Sequence, residues 1–152
     1  MDPLIRTATR DDAPAISRVI IAALRESNAQ DYSQEIIDLV EQSFSPAALL
    51  QLLTQRWVYV ATIERRIVAT ASLDQEVVRS VFVDPPHQGT GIGKKLMETL
   101  ESVAINESLQ RLRVPSSITA EGFYASLGFE KIRDEFHGAE RTVIMEKWLS
   151  QV

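Results

Sequence analysis

The turn His87-Gln88-Gly89-Thr90-Gly91-Ile92-Gly93 constrains this chain more than any other feature, because it packs three glycines into five residues. It follows an apolar run, 77–83, that reads as a strand. Asp84-Pro85-Pro86 ends that run, since proline cannot continue a sheet ladder. After the turn, Ile92, Leu96, Leu100 and Val103 recur at helical spacing. A strand, a glycine turn and a helix in that order make an anion site. Glycine admits positive φ and close approach of a ligand to the backbone. The helix start leaves unpaired N–H groups and a partial positive charge, an arrangement suited to phosphate. Lys94 and Lys95 stand in the first helical turn, where cations oppose the helix dipole. A bound polyanion removes that conflict. A turn that only links strand to helix, with solvated lysines, is the plainer alternative.

Two familiar phosphate motifs do not fit. A G-x-x-x-x-G-K-[ST] loop ending at Gly93-Lys94 requires glycine at Gln88 and Ser or Thr at Lys95. A G-x-G-x-x-G fingerprint starting at Gly89 and Gly91 requires glycine at Lys94. A nucleotide-phosphate binder therefore fails on both patterns.

The rest of the chain reads as a mixed α+β domain. Residues 4–9 form an opening strand, Asp11 and Asp12 offer an N-cap, and Pro14 suits a first helical turn. Ile16, Val19, Ile20, Ala23 and Leu24 give that helix one apolar stripe. Ile36, Leu39 and Val40 suggest a second helix, and Ser45-Pro46 followed by Leu49, Leu52 and Leu53 a third. Residues 57–63 and 67–73 are strands around a Glu64-Arg65-Arg66 turn. Residues 109–114 form a strand stopped by Pro115, and 119–127 a short helix with Gly128 as its left-handed stop. Residues 129–136 and 141–148 close the chain as an antiparallel pair around His137-Gly138. The expected architecture is a largely antiparallel mixed sheet flanked by helices, in α/β/α layers.

Composition excludes several function classes. With 152 residues, the chain reads as one domain, 1–152. It has no cysteine, which excludes disulfide scaffolds, thiolate metal sites and a cysteine nucleophile. Two histidines leave little for a metal centre, and none is expected. No apolar run approaches the roughly 20 residues of a membrane span, and the start lacks signal-peptide texture. The net charge of −5 argues against nucleic acid. The expectation is a soluble, cytoplasmic protein with neither nucleic-acid nor membrane partners.

Two motifs together resemble a known family. The stretch Val83-x-Pro85-x-x-Gln88-Gly89-x-Gly91-Ile92-Gly93 is similar to the acyl-CoA signature of the GNAT N-acetyltransferase superfamily. Downstream, Ala120-x-x-Phe123-Tyr124-x-x-x-Gly128-Phe129 resembles the A-x-x-F-Y-x-x-x-G-F motif near the end of the same fold. The resemblance implies acetyl-CoA as cofactor and a small-molecule or peptide amine as acceptor. It implies that backbone N–H groups of Gln88, Gly89, Thr90, Gly91, Ile92 and Gly93, with Lys94, hold the pyrophosphate. It implies that the Val81-Phe82-Val83 strand pairs with the pantetheine arm as an added strand. It places Tyr124 beside the thioester sulfur as proton donor. Many members carry asparagine where this chain has Ser117, which can still cap a helix or donate to the cofactor. Glycines often seen in the first hairpin are absent here, with Arg65-Arg66 in the turn and Ala69 in the strand.

Acyl transfer to an amine needs a proton for the leaving thiolate and a deprotonated nucleophile. A phenol with an ordinary pKa of about 10 stays protonated and can donate, although Tyr124 also reads as a core tyrosine beside Phe123. Backbone N–H groups of the central strand can stabilise the oxyanion. For the base, Glu76 is the candidate nearest the family's usual place, with Asp74 adjacent. His137, His87 and a water chain are the alternatives. Arg79 projects from the strand beside the cleft and would meet an acidic acceptor or a surface partner. Residues 27–44 and the closing hairpin bound the acceptor pocket, with Tyr32, Trp57 and Phe136 as candidate walls. Without cysteine, direct attack in a ternary complex is the expected route. A non-catalytic acyl-CoA-binding module is the alternative, and a homodimer through an edge strand is a further expectation.

Overall fold

The structure is a computed structural model, and it describes residues 2–149. Seven strands form one sheet in the order β1-β2-β3-β4-β5-β7-β6. The strands are β1 (Leu4–Thr7), β2 (Trp57–Ile63), β3 (Arg66–Asp74), β4 (Val77–Val83), β5 (Arg111–Ser116), β6 (Glu130–His137) and β7 (Glu140–Trp148). Every neighbouring pair is antiparallel except β4–β5. Helices α1 (Ala13–Glu26), α2 (Gln34–Gln42) and α3 (Pro46–Gln55) cover one face. Helices α4 (Ile92–Asn106) and α5 (Glu121–Ser126) pack against the other. The expected mixed α+β layers are therefore present. Among the described residues no helix is long and apolar enough to cross a membrane.

Hydrophobic periodicity explains most of this. In α1, the expected stripe of Ile16, Val19, Ile20, Ala23 and Leu24 is buried. In α3, Ser45 accepts from the Ala48 N–H and caps the helix as its sequence implies. The α2 stripe differs by one position. Ile37 is buried and Leu39 is exposed, because α2 lies on α1 through its Ile37 edge. Asp12 also departs from its expected role. Its carboxylate turns back to the Thr9 N–H (2.7 Å) and to Arg6 (2.8 Å) instead of capping α1. The turn between β2 and β3 uses Glu64 and Arg65 at φ of 52° and 67°. Two left-handed residues match the twist of a tight hairpin.

The segment around β5 corrects the sequence reading, and it opens the site. Pro115 does not stop the strand; it pairs with Ile144 inside β5. The ladder alternation explains the tolerance. Leu149 N–H donates to Gln110 carbonyl on the β7 side, whereas Arg113 N–H donates to Glu76 carbonyl on the β4 side. By that alternation the Pro115 nitrogen faces β4, where Val77–Arg113 is the last pairing. Beyond it β4 and β5 splay apart, so no ladder bond is lost.

β4 itself bends. Ser80 has φ of 56°, and the β3–β4 register shifts between Thr70 and Ser72. This bulge was not anticipated, although two polar residues, Arg79-Ser80, interrupt the apolar run there.

The glycines of the turn have different tasks. Gly89 and Gly91 take φ of 76° and 88°, and an added Cβ on either would meet open space. Gly93 is helical and buried, and a Cβ there would stand 3.2 Å from the Phe123 ring. Close approach of α4 to α5 therefore requires Gly93. Gly93→Val is expected to destabilise the fold by roughly 1–3 kcal/mol through overpacking, read as a lowered urea midpoint. An unchanged midpoint would show that this contact does not lock the two helices.

Candidate active site

The splay between β4 and β5 opens a cavity of about 1060 Å³. One wall is the inner edge of β4. Asp84 N–H donates to Val68 carbonyl (2.8 Å), so by alternation the Val83 and Val81 main-chain groups point away from β3, into the gap. The side chain of Phe82 turns to the opposite sheet face and meets Phe44 edge-on at 5.8 Å.

At one end lies the glycine turn. Gly91 is the N-cap of α4, and Ile92, Gly93 and Lys94 form the first turn behind it. That helix has no acidic residue in its first turn and no basic residue in its last. Its own charges thus leave the dipole uncompensated at the end facing the cavity. The Gln88 amide donates to the Val83 carbonyl (3.0 Å) and to the Ser27 hydroxyl (2.8 Å), fixing the turn to β4 and to the end of α1. The Thr90 hydroxyl donates to the His87 carbonyl and does not line the cavity. His87 lines it, with its Nδ1 buried and unpartnered among the described residues.

On the opposite wall, α5 carries Tyr124 into the cavity. The Ser117 hydroxyl accepts from Ala120 N–H (3.1 Å), shaping the turn into α5. That turn makes α5 shorter than the sequence suggests, and Gly128 ends it at φ of 95° as expected. Tyr124 is 4% exposed, between Phe123 (5.2 Å) and Phe129 (5.6 Å), both edge-on. Its hydroxyl has no hydrogen-bond partner among the described residues. Burial pushes the Tyr124 phenol well above its ordinary range, because the phenolate would lose its hydration. The group is held protonated and free to donate.

Several expected residues stand elsewhere. Glu76 lies outside the cavity lining and is ion-paired with Arg111 (3.3 Å). Its place at the mouth of β4, before the splay begins, explains why it turns to β5. Asp74 is also outside the lining. Trp57 and Phe136 are exposed and are not walls, whereas Tyr32 is one. The Tyr32 hydroxyl accepts from Ile118 N–H (2.6 Å) and donates to the Arg141 carbonyl (3.3 Å). It thereby ties the α1–α2 connection to the α5 turn and to β7. Burial raises the Tyr32 pKa, while the Ile118 donation acts the other way.

Arg56 and Glu140 also line the cavity, and the sequence reading did not single them out. Arg56 stands between a helix end and a strand start, and its contacts with Ser80 at the unanticipated bulge (3.1 Å) and with Ser72 (3.4 Å) mark it. Glu140 sits opposite His137 in the closing hairpin, and both reach the same cavity.

Comparison with known proteins places this geometry. A model of the acetyltransferase (GNAT) domain family matches residues 28–147. The uncharacterized N-acetyltransferase YafP of Escherichia coli is 26% identical over 131 residues, covering 86% of this chain and 83% of that protein. A GCN5-related N-acetyltransferase from Rhodopseudomonas palustris superposes with a TM-score of 0.93 at 23% identity, over 98% of this chain and 97% of that one. The PaiA N-acetyltransferase of Thermoplasma acidophilum, solved in complex with coenzyme A, superposes with a TM-score of 0.84 at 19% identity. It covers 97% of this chain and 99% of its own.

Proposed function

The chain belongs to the GNAT acetyltransferase family, and from that premise we propose that it moves an acetyl group from acetyl-CoA to a primary amine by direct attack in a ternary complex. The observation that carries this reading is one continuous cavity. It has a glycine-capped helix start at one end, the free edge of β4 along its length and the Tyr124 hydroxyl on its far wall.

Acetyl-CoA supplies the thioester whose C–S bond breaks as the new C–N bond forms. The chain's own groups do the rest. The amides of Gln88 to Gly93, with Lys94, hold the pyrophosphate at the start of α4. Because Thr90 is turned away, its contribution is confined to its main chain. Val81 and Val83 bind the pantetheine arm through their main-chain groups, and the Ser117 hydroxyl lies beside it. Main-chain N–H groups past the Ser80 bulge stabilise charge developing on the acyl oxygen. Tyr124 gives its proton to the departing sulfur and is restored by solvent. No carboxylate base is assigned. Glu76 is occupied by Arg111, and the open cavity lets the amine lose its proton to water.

The test is release of free thiol from acetyl-CoA across a broad panel of amines. Sequential kinetics are expected, with intersecting double-reciprocal lines. Parallel lines would contradict direct attack, because a ping-pong route needs an acyl-enzyme. Binding of acetyl-CoA without turnover of any amine would favour a binding module over an enzyme.

A further inference from the structure

The acceptor end of the cavity carries a charge arrangement that acetyl-CoA does not explain. Arg56 and Arg79 both line it, and among the described residues neither is in an ion pair. The Arg56 guanidinium hydrogen-bonds only to neutral hydroxyls among the described residues, Ser80 Oγ at 3.1 Å and Ser72 Oγ at 3.4 Å. Both bonds use one terminal nitrogen, so most of its five donors are left over. The other cavity arginines differ. Arg113 lies 3.6 Å from Glu146, and Arg133 is 2.6 Å from Glu135. Burial and the nearby Arg79 both lower the Arg56 pKa, and Asp74 offsets part of that without forming an ion pair. Two half-buried cations on one wall, in a chain of net charge −5, repel each other unless an anion joins them.

The pyrophosphate is not that anion. Arg79 precedes Val83 by four residues, roughly 13 Å at the rise of a strand, and the glycine turn lies further on again. The arginines therefore stand at the end of β4 opposite the phosphate site, next to the bulge.

On the acetyl-transfer reading above, we propose that the acceptor bears a carboxylate near its amine, gripped by Arg56 and Arg79. Two guanidinium forks match the planar geometry of a carboxylate, and the charge-assisted bonds fix which amine is presented to the thioester. The substrate class is a free amino acid, which carries the carboxylate beside its amine.

Matched acceptors test this: free L-amino acids, their carboxamides and the corresponding decarboxylated amines, each with saturating acetyl-CoA and thiol release recorded. The acids are expected to exceed their carboxamides in kcat/KM by about 30-fold or more, the loss expected when charge-assisted bonds go unmade. Arg56→Gln and Arg79→Gln should each erase most of that preference while the thermal shift given by acetyl-CoA is retained. That retained shift also shows that the variants are folded. Equal turnover of acid and carboxamide overturns the proposal, as does a preference that survives both substitutions, or turnover of neutral amines with no acid accepted. None of these touches the acetyl-transfer reading, which fails instead if acetyl-CoA gives no thermal shift to the unaltered protein.

Discussion

Tyr124→Phe is expected to lower kcat by roughly 100-fold or more, the scale of a lost general acid, while acetyl-CoA affinity stays within about twofold. The expectation rests on an unusual placement. Tyr124 is buried between Phe123 and Phe129, yet its hydroxyl has no hydrogen-bond partner among the described residues. The ring is packed while the hydroxyl opens onto the cavity, so a purely structural tyrosine would need the ring and not the oxygen. Phenylalanine keeps the ring contacts, and the melting temperature should therefore hold. The pH profile separates a proton donor from a packing residue. Burial raises the Tyr124 pKa, so the donor form persists through and beyond the ordinary phenol range of about 10. In the unaltered enzyme kcat/KM should rise with pH as the amine deprotonates and show no fall below about pH 10. A fall near neutrality, or full turnover by Tyr124→Phe, would remove Tyr124 from the chemistry.

Gly91→Val is expected to weaken acetyl-CoA binding by about 10- to 100-fold while the protein remains folded. Gly91 caps α4 at φ of 88°, where a branched side chain is strained by about 1–2 kcal/mol. The added Cβ would meet no protein atom within 4 Å, so the fold itself does not forbid it. The loss comes from relaxation of the strained turn, which swings its amides out of line, and from side-chain atoms in the space the phosphates approach. Gly122 is a built-in control. It lies in α5, and its Cβ also meets open space without a positive φ. Gly122→Ala should leave affinity unchanged and raise stability by about 0.5–1 kcal/mol. Equal affinities for Gly91→Val and the unaltered protein, by calorimetry, would move the phosphate site elsewhere.

The sequence carried the layered fold and the strand, glycine turn and helix at one end of the cavity because these depend on local patterns. Apolar periodicity defined α1 and α4, and the prolines and glycines between 84 and 93 marked where β4 ends and α4 begins. The errors fall where tertiary context overrides a local rule. Pro115 reads as a stop, but β4 splays from β5 and leaves its nitrogen with nothing to pair. Leu39 has the right spacing for the α2 stripe, but the helix presents Ile37 to the core. Glu76 has the right neighbourhood for a base, but it lies outside the cavity lining, paired with Arg111 from β5. On the far side of the cavity Arg79 and Tyr32 were legible as candidates, whereas Arg56 was not, because it is distant in sequence and reaches the cavity beside the Ser80 bulge that no local pattern announces.

On the proposed function, acetyl-CoA lies along the free edge of β4 with its phosphates at the start of α4. Backbone amide resonances followed during titration with acetyl-CoA test that placement. The largest shifts are expected at Val81, Val83, Gln88, Gly89, Gly91 and Gly93, with smaller ones at Ser117 and Tyr124. Strand β1 and the outer face of α3 should be silent. Saturating acetyl-CoA that leaves residues 81–94 unmoved, or moves only residues outside the β4–β5 cavity, would contradict it.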